Sequence, residues 1–256
     1  MGHSSASSGT NGYAAGGGFA YPWTTTIEKY SHTSDSNSTS HGNLSVLRGT
    51  PAGCSDKGAQ YGHVVGSYAT APGSAAASSR DKYSFTSNTT GTNSGDLVQA
   101  NHDQAGNTSP THGYAAGGAS NGQQQSFDTI QKFAFATDVI SEVYSGVLTT
   151  NRNSRGCSSA THGFAVGAYS IPSATPTSRI DKYSFASEGD ATTVGELTTG
   201  IQGNTTCSST NYGWSMGGQP PATVDRIDRF AFASQGNATD IGNLSLARVY
   251  SGGTHV

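Results

Sequence analysis

A Gly-aromatic pair returns along this chain at a spacing few folds accommodate: Gly12-Tyr13, Gly113-Tyr114, Gly163-Phe164 and Gly213-Trp214, with Gly62-His63 as a divergent copy. The glycines lie 50, 51, 50 and 50 residues apart. Two further markers follow each pair in fixed order. The first reads Ile27-Glu28-Lys29-Tyr30, Arg80-Asp81-Lys82-Tyr83, Ile130-Gln131-Lys132-Phe133, Ile180-Asp181-Lys182-Tyr183 and Ile227-Asp228-Arg229-Phe230. The second reads Gly42-Asn43-Leu44, Gly95-Asp96-Leu97, Gly146-Val147-Leu148, Gly195-Glu196-Leu197 and Gly242-Asn243-Leu244. Five copies of such a unit describe a repeat architecture, in which each copy buries its apolar face against its neighbours.

The fourth copy shows how a unit divides. Gly156-Cys157-Ser158-Ser159-Ala160 is small and polar, and the turn Thr161-His162 leads into Gly163-Phe164-Ala165-Val166-Gly167. A third segment runs from Ile180 to Ala186, and a fourth surrounds Gly195-Glu196-Leu197-Thr198. Short segments punctuated by Gly, Asn and Pro predict a β-meander and leave no room for helices. Four-stranded sheets repeated radially form a propeller. The expected fold is all-β: a five-bladed β-propeller of four-stranded antiparallel blades. It would be one domain over 1–256, with blades at about 1–48, 49–101, 102–152, 153–201 and 202–256. Alternation along a strand puts Tyr183 and Phe185 on one face and Ser184 and Ala186 on the other. The same pairing recurs as Tyr83/Phe85, Phe133/Phe135 and Phe230/Phe232, weakening to Tyr30/His32 in the first copy. The rings are expected to meet the small face of the next blade, and the two termini to meet where the ring closes.

Composition supports an ordered chain. Hydrophobic residues make up 33% and charged ones 11%, which fits either disorder or a turn-rich β fold. Periodic aromatics and a net charge of only -3 favour the second. That charge also argues against a nucleic-acid surface, which needs clustered Lys and Arg. No apolar run reaches membrane-span length, and Met1-Gly2-His3-Ser4-Ser5 carries no secretory pattern. Three cysteines do not make a disulfide framework.

Gly117-Gly118 and Gly217-Gly218 closing the second strand, the aromatic third strand, and a Gly-x-Leu before Arg48, Arg152 and Arg248 resemble kelch-type repeats, as in galactose-oxidase-like propellers. Asn101 and Ile201 replace the arginine in two copies, and the Trp such repeats carry near the fourth strand is absent. The resemblance spans the chain and implies a propeller, but no single function, because the fold hosts many. Galactose-oxidase copper chemistry needs a Tyr, His and cross-linked Cys set that cannot be assigned here, so no cofactor is expected.

Residues present in every copy serve the architecture, and residues that break the symmetry are the better functional candidates. Eight of the thirteen basic residues fall at repeat positions, which marks them as solvated or inter-blade partners. Cys54, Cys157 and Cys207 share a first-strand position and read as small buried residues. His112 and His162, on adjacent turns, are weak candidates for a shared metal ion, since imidazole is a common ligand. Asp56 and Asp103 lie near inner-strand ends, where glycosidases hold their carboxylate pair. The irregular loops between second and third strands carry Tyr21, Trp23, Tyr68, Phe127 and Tyr169. The fourth-to-first connections on the same face carry Arg48, His102, Asp103, Arg152, Arg155 and Arg248.

Aromatic rings beside guanidinium groups suit sugars, whose C–H faces stack on rings while polar groups fix hydroxyls. The expectation is a non-catalytic recognition module, monomeric, with Tyr21, Trp23, Tyr68, Phe127, Tyr169, Arg48, Arg152 and Arg248 as ligand-binding residues and a glycan as ligand. Composition also fits a viral or phage surface protein. A protein–protein scaffold is the alternative, and a propeller hydrolase or oxidase the third reading.

Overall fold

The structure, a computed structural model, describes residues 2–18, 22–68, 75–120, 125–139, 141–171, 173–187 and 189–253, with backbone alone over 145–151. The described residues form twenty strands and no helix. Blade 1 is β1 (Ser4–Ser7), β2 (Asn11–Ala15), β3 (Thr26–Ser31) and β4 (Thr39–Asn43). Blade 2 is β5 (Ala52–Asp56), β6 (Tyr61–Tyr68), β7 (Ala76–Ser84) and β8 (Thr92–Asp96). Blade 3 is β9 (Ala105–Thr108), β10 (His112–Ala116), β11 (Phe127–Ala134) and β12 (Glu142–Asn151). Blade 4 is β13 (Arg155–Ser158), β14 (His162–Ser170), β15 (Thr175–Ser184) and β16 (Thr192–Ile201). Blade 5 is β17 (Thr205–Ser208), β18 (Tyr212–Met216), β19 (Arg226–Ala231) and β20 (Thr239–Asn243). Each blade is a four-stranded antiparallel meander in chain order, as the repeat pattern predicts.

The register explains the Gly-aromatic motif. In blade 4 Gly163 lies opposite Tyr183, and any Cβ at Gly163 would overlap the Tyr183 ring. Gly12, Gly62, Gly113 and Gly213 stand in the same relation to Tyr30, Tyr83, Phe133 and Phe230. Glycine is thus required because the third-strand ring lies across it. The following aromatic points to the other face and into the next blade.

There the packing departs from the expectation of rings against a small face. Tyr183 and Phe185 clasp Tyr114 of blade 3, at ring-centroid distances of 5.8 and 4.7 Å. Tyr83 and Phe85 clasp Tyr13 at 5.9 and 4.5 Å. Phe133 and Phe135 clasp His63, and Phe230 and Phe232 clasp Phe164. A ring meets a ring because the second-strand residue next to the glycine is itself bulky. Such pairs add about 0.5–1.5 kcal/mol beyond the area they bury. Four apolar cores result, one in each junction from blade 1/blade 2 to blade 4/blade 5.

The first strands pack side by side about the axis in the order β1, β5, β9, β13, β17. Just before β5, β9, β13 and β17 lies a residue in the left-handed region: Thr50 (φ 53°), Asp103 (57°), Asn153 (56°) and Gly203 (60°), with Tyr250 (57°) after blade 5. Backbone bonds run between them from blade to blade. Thr50 N donates to Gly2 O (3.2 Å), Asp103 N to Thr50 O (3.1 Å), Asn153 N to Asp103 O (2.9 Å), Gly203 N to Asn153 O (3.2 Å) and Tyr250 N to Gly203 O (2.7 Å). A β-branched Thr at positive φ is disfavoured; the inter-blade bond holds it there.

Candidate functional site

The loop face carries most of the residues singled out from the sequence, and the structure divides them into two groups. Trp23, Tyr68, Phe127 and Arg48 are buried. Trp23 stacks on Tyr68 at 5.6 Å, and Tyr68 stacks on His102 at 3.8 Å, so the rings cover one another. Arg48 donates to Asp81 Oδ1 of blade 2 at 3.0 Å and to Ser79 O at 2.6 Å, clamping two blades together. Asp81 also accepts from Ser45 N and Ser45 Oγ, both at 2.7 Å. Tyr169 and Arg152 are half-buried, with the guanidinium 4.8 Å from the ring centroid. Arg248 is exposed. Tyr21 lies outside the described residues.

The second group surrounds the axial mouth. Arg155 occupies a position held by Ser4, Ala52, Ala105 and Thr205 in the other blades, so it breaks the symmetry sharply. Its guanidinium lies 5.8 Å from the Tyr250 ring and donates to Ser154 O at 3.0 Å. Among the described residues no carboxylate pairs with it. Burial lowers the Arg155 pKa, opposed by the nearby Asp103 carboxylate and by Tyr250. The Arg155 guanidinium lines a polar recess of about 50 Å3, together with His3, Ser5, Gln104, Thr206 and Gly252. Burial, and then the Arg155 charge, lower the pKa of His3.

Asp103 is buried behind this mouth, close enough for its charge to act on Arg155. His102 Nδ1 approaches its carboxylate at 3.0 Å, while His102 Nε2 lies 3.0 Å from Ser120 O. The Asn153 amide, oriented with its nitrogen toward Asp103, donates to it at 2.9 Å. The sequence marked Asp103, Arg155 and His102 by their loop; for Tyr250 and His3 it offered only the expectation that the termini meet, with nothing to single out either residue.

Asp56 does not join Asp103. It closes β5 at the opposite end of the axis, where its Oδ1 accepts from Ala59 N at 3.0 Å. The cysteines stay protonated: burial pushes Cys54 and Cys207 up to about 11 and raises Cys157 further. His112 and His162 each meet their own preceding threonine, Nδ1 lying 2.8 Å from Thr111 Oγ1 and Thr161 Oγ1. Burial, then Lys132 and Lys182 respectively, lower their pKa values. No group of three metal-ligating side chains occurs among the described residues.

At the far end of the axis lies a larger cavity of about 490 Å3, lined by Lys57 and by hydroxyls from blades 2 to 5. Those hydroxyls serve the architecture. Ser7 N donates to Ser55 Oγ (2.9 Å), Ser55 N to Thr108 Oγ1 (3.1 Å) and Thr108 N to Ser158 Oγ (3.0 Å). The small mouth, with its unrepeated charge, is the better site.

No family model and no curated protein matches this chain. Its fold is similar to the solved structure of YjhT, with a TM-score of 0.80 over 98% of this chain and 86% of that one. Identity is 11%, so the likeness establishes the class: a β-propeller, here with five four-stranded blades.

Proposed function

We propose that this chain is a non-catalytic recognition module that binds a glycan at the axial mouth of its loop face. The observation that carries the reading is Arg155, a cation that no other blade repeats, lining a narrow polar opening with His3, Ser5, Gln104 and Thr206 and flanked by the Tyr250 ring. A guanidinium and neighbouring hydroxyls together can fix a sugar hydroxyl, one as donor and the other as acceptor. The recess is too small for a sugar ring and admits one substituent. The ring itself would rest outside it, toward the Arg152–Tyr169 pair. Glycoside hydrolysis needs two carboxylates flanking one bond; Asp56 and Asp103 sit at opposite ends of the axis, which supports the non-catalytic reading.

A glycan array probed with folded protein, carrying neutral and acidic sugars, tests this. Wild type should bind a defined subset. Arg155→Ala, which installs the residue found in blades 2 and 3, should weaken that binding about tenfold or more while leaving Tm unchanged. A blank array with intact protein sinks the glycan reading.

A further inference from the structure

We infer that the seam between blades 5 and 1 is a docking surface for a sixth four-stranded blade of the same repeat, whose innermost strand begins with Ser251–Gly253. This conclusion does not depend on the glycan reading.

The first argument counts positions about the axis. Gly2, Thr50, Asp103, Asn153, Gly203 and Tyr250 make six stations joined by five backbone bonds, although the chain has five complete blades. Three residues further on, the inner strands repeat one contact. A Cβ at Gly53 would strike Ser5 O, one at Gly106 would strike Gly53 O, and one at Gly156 would strike Gly106 O. A Cβ at Gly253 would strike Thr206 O in the same way, while one at Gly252 meets His3 and Ser5. Residues 252 and 253 thus stand between β17 and β1, in an inner-strand place of their own. The ring has the curvature of six blades.

The second argument is what the seam leaves bare. The third-strand rings Tyr83, Phe133, Tyr183 and Phe230 are 2–4% exposed, whereas Tyr30 is 37% exposed. Tyr13, His63, Tyr114 and Phe164 are buried, whereas Trp214, their blade 5 equivalent, is only half-buried. A closed five-blade ring would clasp Trp214 between Tyr30 and His32. Among the described residues Trp214 instead meets its own blade's Tyr212, at 6.1 Å.

Charge repeats the pattern. Arg48 reaches Asp81 of the next blade, and Asp228 accepts from Thr198 N and Oγ1 of the blade before it. At the seam Arg248 is exposed and forms no ion pair with Glu28 among the described residues. Glu28 accepts from Ser38 of its own blade instead. The occupant must therefore show an aromatic pair and an acid to blade 5, and a second-strand ring and a cation to blade 1. A further copy of this repeat presents that combination.

The chain holds two tryptophans, so Trp23→Phe leaves Trp214 as the sole indole. In that background, acrylamide quenching and thermal unfolding are compared for the 256-residue chain and for one extended after Gly253 by a copy of residues 157–203. The unextended chain should show Trp214 open to quencher at all protein concentrations. The extended chain should shield it several-fold and unfold at a Tm higher by roughly 5 °C or more, since about 1 kcal/mol is worth 2–4 °C at this size. Trp214 already shielded in the unextended chain at high dilution would mean the ring closes on five blades and overturns the inference. Shielding that grows with protein concentration would assign the seam to a second copy and overturns it equally, as does an extended chain that folds without protecting Trp214.

Discussion

His63 is the residue at which repeat and chemistry conflict. It occupies the second-strand place of Tyr13, Tyr114 and Phe164, packed 5.6 and 5.0 Å from Phe133 and Phe135, and neither ring nitrogen has a hydrogen-bond partner. Burial, aided by the charges of Arg80 and Lys82, lowers its pKa from 6.5 to about 3. The unfolded chain therefore takes up a proton below pH 6.5 that the folded chain refuses until about pH 3. Stability linked to neutral His63 is complete above pH 6.5 and is lost as pH falls through that window, by roughly 3 kcal/mol at pH 4. His63→Tyr should remove this component and raise stability at neutral pH. Tyr13, its counterpart, donates to Phe85 O at 3.0 Å, and a Tyr at 63 can donate likewise to Phe135 O. Urea melts at pH 7 and pH 4 check both; a mutant with the wild-type pH slope refutes the assignment. The sequence marked His63 only as a divergent copy, because its burial depends on rings some 70 residues away. Trp23 and Tyr68 went the other way: exposed loop aromatics by pattern, they cover each other and His102 once folded.

At the scale of strands, glycine sets how closely blades approach. Gly53, Gly106 and Gly156 bring neighbouring inner strands into backbone contact, and a Cβ at Gly156 would fall on Gly106 O. Gly156→Val should push β13 from β9 and break the Thr108 N–Ser158 Oγ bond. We expect a loss of about 3 kcal/mol or more, or failure to fold. Circular dichroism melts measure it, with the exposed Gly189→Val as control, since nothing lies within 4 Å of a Cβ there. Element order was legible from turn residues and aromatic alternation, because those are local. The longer hairpins were not. β15 starts at Thr175 rather than Ile180, since a bulge near Gly167 lets Ser170 pair with Thr175.

Across the whole molecule, stability is distributed unevenly. Blades 2, 3 and 4 have a packed neighbour on each side, whereas blades 1 and 5 each turn one face to the seam. Hydrogen exchange should therefore run faster in β3, β4 and β18–β20 than in β10, β11, β14 and β15, through partial opening of the end blades. Uniform protection across all five blades would contradict this. The period of 50 residues, read alone, already determined the five four-stranded blades and the glycine and ring positions, because those follow from interactions within one unit. That Arg155 stands at the axial mouth beside Tyr250 was decided by tertiary structure. So was the seam, since ring curvature arises from the summed rotation between blades, which no single repeat encodes.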